Sequence, residues 1–333
     1  MNTPPVDFVR VEAGAHTEFL ERCLKTCGLA HDHAEFMASR LTWADLRGIH
    51  SHGASQVQRY VSDLQSGTVN PMPEISVIRE NDTSIVVDGD GGYGYLPTAR
   101  VTESIIGKAR EHGLAAGSLQ HIGHYGSASH YTSMCADAGC IGFSVQGLVS
   151  GFDFPDKPIA LWGSRPISFA IPAGERPPII VDGCTNLFKD EDLDLFERVP
   201  SAFFMSLGFT VVAKLMGDAL SGQMLRYTRE PDPAWPAAGI GAFVLAIDVD
   251  HFTAVSGFGE IVDRFVGEIC SQMRPMPGHD RALLPGMLEA ERQEVYAREG
   301  IPLAKEICRQ LEATAGPLGV AVPWQSLGDA AKS

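Results

Sequence analysis

Ala44-Asp45-Leu46-Arg47-Gly48-Ile49-His50-Ser51-His52-Gly53 is the stretch whose reading decides the fold. Upstream, Asp32 with Glu35 three residues on forms a capping-box pattern, predicting a helix that runs to about Leu46 and stops at Gly48. Downstream, Val57, Tyr60, Val61 and Leu64 recur at helical spacing, predicting a helix over 53–66 closed by Gly67. Ile49 to His52 therefore lies in a sharp break between two helices. His52 would stand at the start of the second, where unsatisfied N–H groups and the positive helix end favour a bound anion. The same field disfavours imidazolium until a negative substrate arrives. That suits a histidine exchanging a proton with a hydroxy or keto oxygen near neutral pH, with Ser51 bonded to the ring or to the substrate. A helix cap with a packed imidazole is the structural alternative.

Working outward, residues 15–27 read as a helix ended by Gly28, and Asn70-Pro71-Met72-Pro73 ends the helical region. Two short strands follow, Ile75–Arg79 and Ser84–Asp88. An alternation succeeds them: helix 97–112, strand 114–120, helix 127–138, strand 141–146. Further strands are predicted at 168–171, 178–182 and 242–248, and helices at 203–221, 257–273 and 287–313. Strands alternating with helices argue an α/β fold. The turn Gly89-Asp90-Gly91-Gly92-Tyr93-Gly94 follows a strand and precedes a helix, yet it misses the G-x-G-x-x-G register, and Asp90 would face any phosphate. It reads as a tight structural turn, and no Rossmann fingerprint occurs elsewhere.

Composition narrows the partners. The chain has 333 residues, 44% of them apolar and 20% charged, which suits a folded protein of two lobes. A formal net charge of -15 argues against nucleic acid and anionic lipid as partners. The N-terminus shows no secretory signal, and apolar runs such as Phe243 to Ile247 are far shorter than the ~20 residues that span a bilayer. Seven cysteines without a CxxC pair read as reduced thiols in a cytoplasm, with Cys23 and Cys27 as small buried side chains. His50, His52, His121 and His124 could supply nitrogen ligands. Their HxH and HxxH spacing lacks a matching carboxylate or thiolate pattern, so no metal is expected.

The 44–53 block, with Tyr60 and Gly67-Thr-Val-Asn-Pro71, resembles the N-terminal signature of the type-2 malate/L-lactate dehydrogenase family. The likeness continues through Lys108–Gly113, His124-Tyr125-Gly126, Phe243–Asp248, Leu284-Pro-Gly286 and Arg298–Pro302. The resemblance implies a non-Rossmann α/β fold with a mixed or largely antiparallel central sheet. It also implies a helical substrate lobe from 1–117 plus 286–330, and a cofactor-type domain over 118–285 with a shortened loop at 183–205. The implied activity is NAD- or NADP-dependent oxidoreduction of a small 2-keto or 2-hydroxy acid or a cyclic imine, by a homodimer. Ser51 and His52 take the proton-transfer role; His124 lies beside the nicotinamide and takes that role in some members. The implied substrate contacts are Arg47, Gln56, Arg59, Ser164 and Arg165. The implied cofactor contacts are His124, Tyr125, Gly126, Ser127, Asp182, Thr185, Pro285 and Gly286.

Departures from the family pattern gather on the cofactor and substrate contacts. Gln56 stands where an arginine usually clamps a carboxylate, and a neutral amide cannot replace a bidentate cation. Arg59 is the nearest substitute. Gly163-Ser164-Arg165-Pro166 lacks the usual asparagine, Asp182-Gly183-Cys184-Thr185-Asn186 keeps only Asp182 and Thr185, and Met287 replaces a glutamate. The G-H-K-G that opens a helix becomes Phe204-Met205-Ser206-Leu207-Gly208, so a phosphate-pairing lysine is gone until Lys214. Three functions follow as candidates: the nicotinamide oxidoreductase; a non-redox lyase, isomerase or cyclase using the Ser-His pair; and a non-catalytic binding subunit.

Overall fold

A computed structural model describes residues 3–147, 159, 163–229 and 234–327. The chain forms two compact units, 1–73 with 287–333, and 74–286. The last residues of the expected helical lobe, 328–330, lie outside the described residues.

The first unit pairs the two ends of the chain. β1 (Phe8–Val11) lies antiparallel to β9 (Ile301–Ala304), and around them stand α1 (Ala13–Thr26), α2 (His31–Leu46) and α3 (Val57–Gln65). α2 buries Ala34, Met37, Ala38, Leu41 and Ala44 completely, an i, i+3, i+4 stripe that faces neighbouring helices. It starts one residue before Asp32, from Ala30, so the capping-box pattern is not what caps it.

The second unit is a seven-stranded sheet in the order β2-β3-β4-β8-β5-β6-β7. Its strands are β2 (Ser76–Glu80), β3 (Ser84–Asp88), β4 (Leu114–Ile122), β5 (Cys140–Gln146), β6 (Pro166–Ile171), β7 (Ile179–Cys184) and β8 (Ile240–Asp248). All pairs are antiparallel except β3 with β4. The sheet is thus mixed and largely antiparallel, with no Rossmann crossover among the described residues. Alternation along β5 separates its two covers. Gly142 faces α5 (Ser129–Asp137), where a Cβ would lie 2.8 Å from Cys135, while Val145 clusters with Ala213 of α6 (Pro200–Lys214). α4 (Tyr95–His112) packs on β3, β4 and β8; α7 (Gln223–Arg229) and α8 (Val255–Gln272) complete the unit's helices among the described residues.

Four expectations are corrected. The units part at Pro73, not at 117, because β3 pairs in parallel with β4 and so ties 74–117 to the sheet. Helix 287–313 is two helices, α9 (Met287–Glu299) and α10 (Lys305–Ala315), separated where Gly300 takes φ +87° and β9 pairs with β1. The helix expected from residue 53 starts at Val57, after two short 3-10 turns, because Gly53 is extended at ψ -144°. Apolar length was also underestimated: Pro200–Ala219 gives 20 helical residues of membrane-spanning length and composition, 39% buried.

Candidate active site

In the first unit the site is organised by Asp45, which the sequence reading passed over. Its wholly buried carboxylate accepts from His16 Nε2 at 3.0 Å, from His50 Nδ1 at 2.8 Å and from the Ala54 amide at 2.8 Å. Burial alone would raise its pKa; the hydrogen bonds and charges of His16 and His50 outweigh that and hold it below the ordinary carboxylate value. Gly53 is required beside it, since a Cβ there would fall 2.1 Å from Asp45 Oδ1. The signal available in the sequence was an acid at the end of α2, five residues before the first histidine of the break.

This corrects the electrostatic argument for His52. Ala54 lies at the start expected for the second helix, and its N–H is taken by the protein's own carboxylate. What the turn presents instead is Ser51 Oγ, 3.1 Å from His52 Nδ1, on a partly exposed surface. Gln56 Nε2 donates to the Ser51 carbonyl at 2.8 Å, so this residue closes the turn as well as standing one helical turn from His52. Arg59 is half exposed and paired with Asp63 at 3.7 Å. Arg47 is buried, with Nη1 on Gln293 at 3.0 Å and its guanidinium 4.6 Å from the Trp43 ring centroid.

In the second unit, the chain after β4 runs His124-Tyr125-Gly126-Ser127. Tyr125 is buried with its hydroxyl 3.3 Å from Ser144 Oγ, and burial pushes its pKa well up. Gly126 needs its φ of +82°, and a Cβ there would meet the Tyr95 ring at 2.6 Å. His124 packs edge-on to Tyr95 at 6.4 Å. Ser127 and Ser129 both donate to Asp182 of β7, Ser129 at 2.6 Å. Thr185 and Arg165 exchange bonds: the Arg165 amide donates to Thr185 Oγ1 at 3.0 Å, and the Thr185 amide to the Arg165 carbonyl at 2.8 Å. Arg165 itself is buried, with Nη1 on the Ser164 carbonyl at 2.9 Å, and desolvation lowers its pKa. Pro285 accepts from the Ile180 amide at 3.3 Å, and Gly286 at φ +91° seats that contact. Ser127, Asp182, Arg165 and Thr185 thus gather on β7 and its neighbours; Pro285 and Gly286 meet the strand's other end.

A nicotinamide dinucleotide would bring two phosphates, which need cations or aimed N–H groups. The described residues of this unit do not fit that part. Lys214 closes on Asp218 at 2.8 Å with both side chains buried, and Arg226 on Asp88 at 2.9 Å. Asp88 also takes His121 at 3.1 Å. The Gly-rich turn offers no cradle either: the space beside Gly91 holds Trp235, 2.1 Å from where a Cβ would be, and Asp90 caps the Glu74 amide at 3.0 Å. No cluster of three metal-ligating side chains occurs among the described residues.

The family model for malate/L-lactate dehydrogenase matches residues 11–198 and 198–312. The chain belongs to the malate/L-lactate dehydrogenase family. The malate dehydrogenase of Pyrococcus horikoshii is 26% identical over 355 residues, covering 94% of this chain and 97% of that one. The NAD(+) ureidoglycolate dehydrogenase of Escherichia coli K12 is 26% identical, covering 88% and 92%. Among solved structures, the Pyrococcus horikoshii malate dehydrogenase superposes with TM-score 0.81 at 25% identity, over 97% of this chain and 99% of that one. The Δ1-piperideine-2-carboxylate reductase of Pseudomonas syringae shares the fold, with TM-score 0.72 at 20% identity over 92% and 100%. The family is one of oxidoreductases, and neither the non-redox reading nor the non-catalytic one finds support in these relatives.

Proposed function

We propose that this family member oxidises a small 2-hydroxy acid, or reduces the matching 2-keto acid or a cyclic imine, with NAD or NADP held weakly. The observation that carries the proton chemistry is Ser51 Oγ at 3.1 Å from His52 Nδ1, on a turn anchored at both ends by Asp45. A hydroxyl can donate or accept. Ser51 can therefore stay bonded to Nδ1 whether Nε2 carries the exchanged proton or lacks it, which keeps the ring oriented through the proton transfer.

For the substrate carboxylate, Arg59 is the favoured cation. Its half-exposed pairing with Asp63 at 3.7 Å is of the kind worth about 0–1 kcal/mol, and a bound carboxylate can displace it. Arg47, Gln56, Ser164 and Arg165 remain proposed substrate contacts. His124, Tyr125, Gly126, Ser127, Asp182, Thr185, Pro285 and Gly286 remain proposed cofactor contacts. The remaining elements of the reading are a homodimer, a cytoplasmic setting that keeps the seven cysteines reduced, and an active site diverged from its relatives.

The test is turnover of malate, lactate, sulfolactate, ureidoglycolate and piperideine-2-carboxylate with saturating NAD(H) or NADP(H), followed by nicotinamide absorbance. His52→Ala and His124→Ala are run beside the wild type, since the family resemblance gives either ring the proton. Turnover lost in His52→Ala and kept in His124→Ala supports the assignment. The reverse pattern moves the proton to His124, and no turnover of any of these substrates rejects the substrate class.

A further inference from the structure

The Gly-rich turn 89–94 is hydrogen-bonded along its length to the end of β4 and the loop beyond it. The Gly89 amide donates to the Gln120 carbonyl at 3.0 Å and the Gly91 amide to the His121 carbonyl at 2.9 Å. The Gly123 amide donates to the Gly92 carbonyl at 2.8 Å, and the Gly94 amide to the His124 carbonyl at 3.1 Å. Side chains would not fit in this seam: a Cβ at Gly89 would lie 2.2 Å from Ile122 Cγ2, and one at Gly94 would lie 2.7 Å from Tyr125 Cβ. The turn is a backbone template for the chain that enters His124-Tyr125-Gly126-Ser127.

His121 carries the strain of this seam. Among the described residues, only it and Asp90 take a positive φ without being glycine, at +55° and +51°. The register of β4 against β8 shifts between Leu119 and Ile122, so His121 sits in a bulge, a device that re-aims a chain beside a functional site. A left-handed residue with a side chain persists only where its surroundings hold it. Here the His121 amide donates to Gln223 Oε1 at 2.6 Å, and Nδ1 lies 3.1 Å from Asp88 Oδ1. Asp88 also accepts from the Asp90 amide at 2.8 Å, from Gln120 Nε2 at 3.1 Å and from Arg226 Nη1 at 2.9 Å. Burial alone would raise its pKa; the hydrogen bonds and charges of these neighbours, His121 first, hold it below the ordinary carboxylate value. An ionised carboxylate only accepts, so His121 Nδ1 is the donor.

We propose that His121 is a positioning residue for the nicotinamide cofactor: its bond to Asp88 holds the bulge that sets where His124, Tyr125, Gly126 and Ser127 stand. The proposal rests on the reading that gives those four residues to the cofactor. His121 acts through the backbone it holds, not by touching the ligand. Two substitutions separate the parts of that role. His121→Asn keeps both, since asparagine accepts the left-handed region and its amide N–H2 can donate to Asp88. His121→Gly keeps the backbone freedom alone.

Ligand-observed NMR titration of the full chain with NAD and NADP gives the dissociation constants without turnover, and steady-state kinetics with the substrate that wild type turns over splits KM from kcat. His121→Gly is expected to weaken cofactor binding and raise the cofactor KM about tenfold, the loss of one hydrogen bond to a charged group, with kcat at saturation within about twofold of wild type. His121→Asn is expected within about twofold of wild type in all three quantities. No binding of either cofactor by wild type rejects the cofactor reading and the proposal together. Binding by wild type that His121→Gly leaves unchanged overturns the proposal alone. A loss as large in His121→Asn as in His121→Gly also overturns it, because the ring itself would then meet the ligand. A fall in kcat at unchanged KM would make His121 a structural residue only.

Discussion

Asp45 Oδ2 lies 2.8 Å from the backbone nitrogen of Ala54, nine residues on, so one buried carboxylate closes the turn that displays Ser51 and His52. The same group holds His50 at 2.8 Å before the pair and Ala54 after it. An amide there keeps one acceptor oxygen and sets an N–H2 against the donors of the other, which costs about 3 kcal/mol. Asp45→Asn should therefore lower the unfolding free energy by that amount at neutral pH. Asp45's folded pKa lies below its ordinary value of 3.8, so its contribution is complete above that pH and lost as pH falls through the folded value. Denaturant unfolding from neutrality down through pH 3 should show the gap between wild type and Asp45→Asn shrinking in acid. A gap that stays constant would mean the carboxylate is not held ionised by its neighbours.

His52→Ala should abolish turnover and leave stability within about 1 kcal/mol, because a partly exposed ring on a 3-10 turn contributes little packing. Ser51→Ala should lower turnover more modestly, having lost only the orienting hydroxyl. Chemical denaturation beside the kinetics separates the cases: if His52→Ala unfolds, the ring is structural.

Both nicotinamide cofactors should bind with dissociation constants above about 100 μM, near 5.5 kcal/mol of binding free energy. The reason is that Lys214 and Arg226 are each closed on a carboxylate. Arg165 is the group through which a rebuilt phosphate contact would act. Titration calorimetry with NADH and NADPH at low salt, on wild type and Arg165→Ala, checks this. Micromolar binding by wild type, lost in the variant, would show that Arg165 swings out of its turn to take the phosphate.

Lys214→Met should destabilise the second unit by about 3–5 kcal/mol, since it removes the cation from a buried ion pair. Asp218 also accepts from the Gly241 amide at 3.0 Å. A Lys214→Met, Asp218→Asn double variant should recover part of the loss in urea unfolding. No recovery would mean that the lysine acts through its packing rather than its charge.

Much of this molecule was legible before folding. The sequence alone determined the family, through the 44–53 block, and the order of helices and strands, through hydrophobic spacing and glycine stops. It also determined that Ser51 and His52 sit in a break, because the signals that end one helix and begin the next are local. Tertiary structure decided what the break is made of. Asp45 meets His16 across 29 positions, and Arg226 meets Asp88 across 138. Such pairs form only when packing brings distant segments together, and no periodicity announces them. The same holds for Lys214. In sequence it is the one cation near the altered cofactor motif; in the fold it is turned inward to Asp218. The apolar run predicted as a helix over 203–221 turns its polar face inside. Which face a helix buries is set by the partners the sheet offers it: Thr185 and the glycines at 147, 217 and 241 leave room for hydroxyls and one ion pair, so Phe204, Phe209, Val211 and Val212 are turned outward.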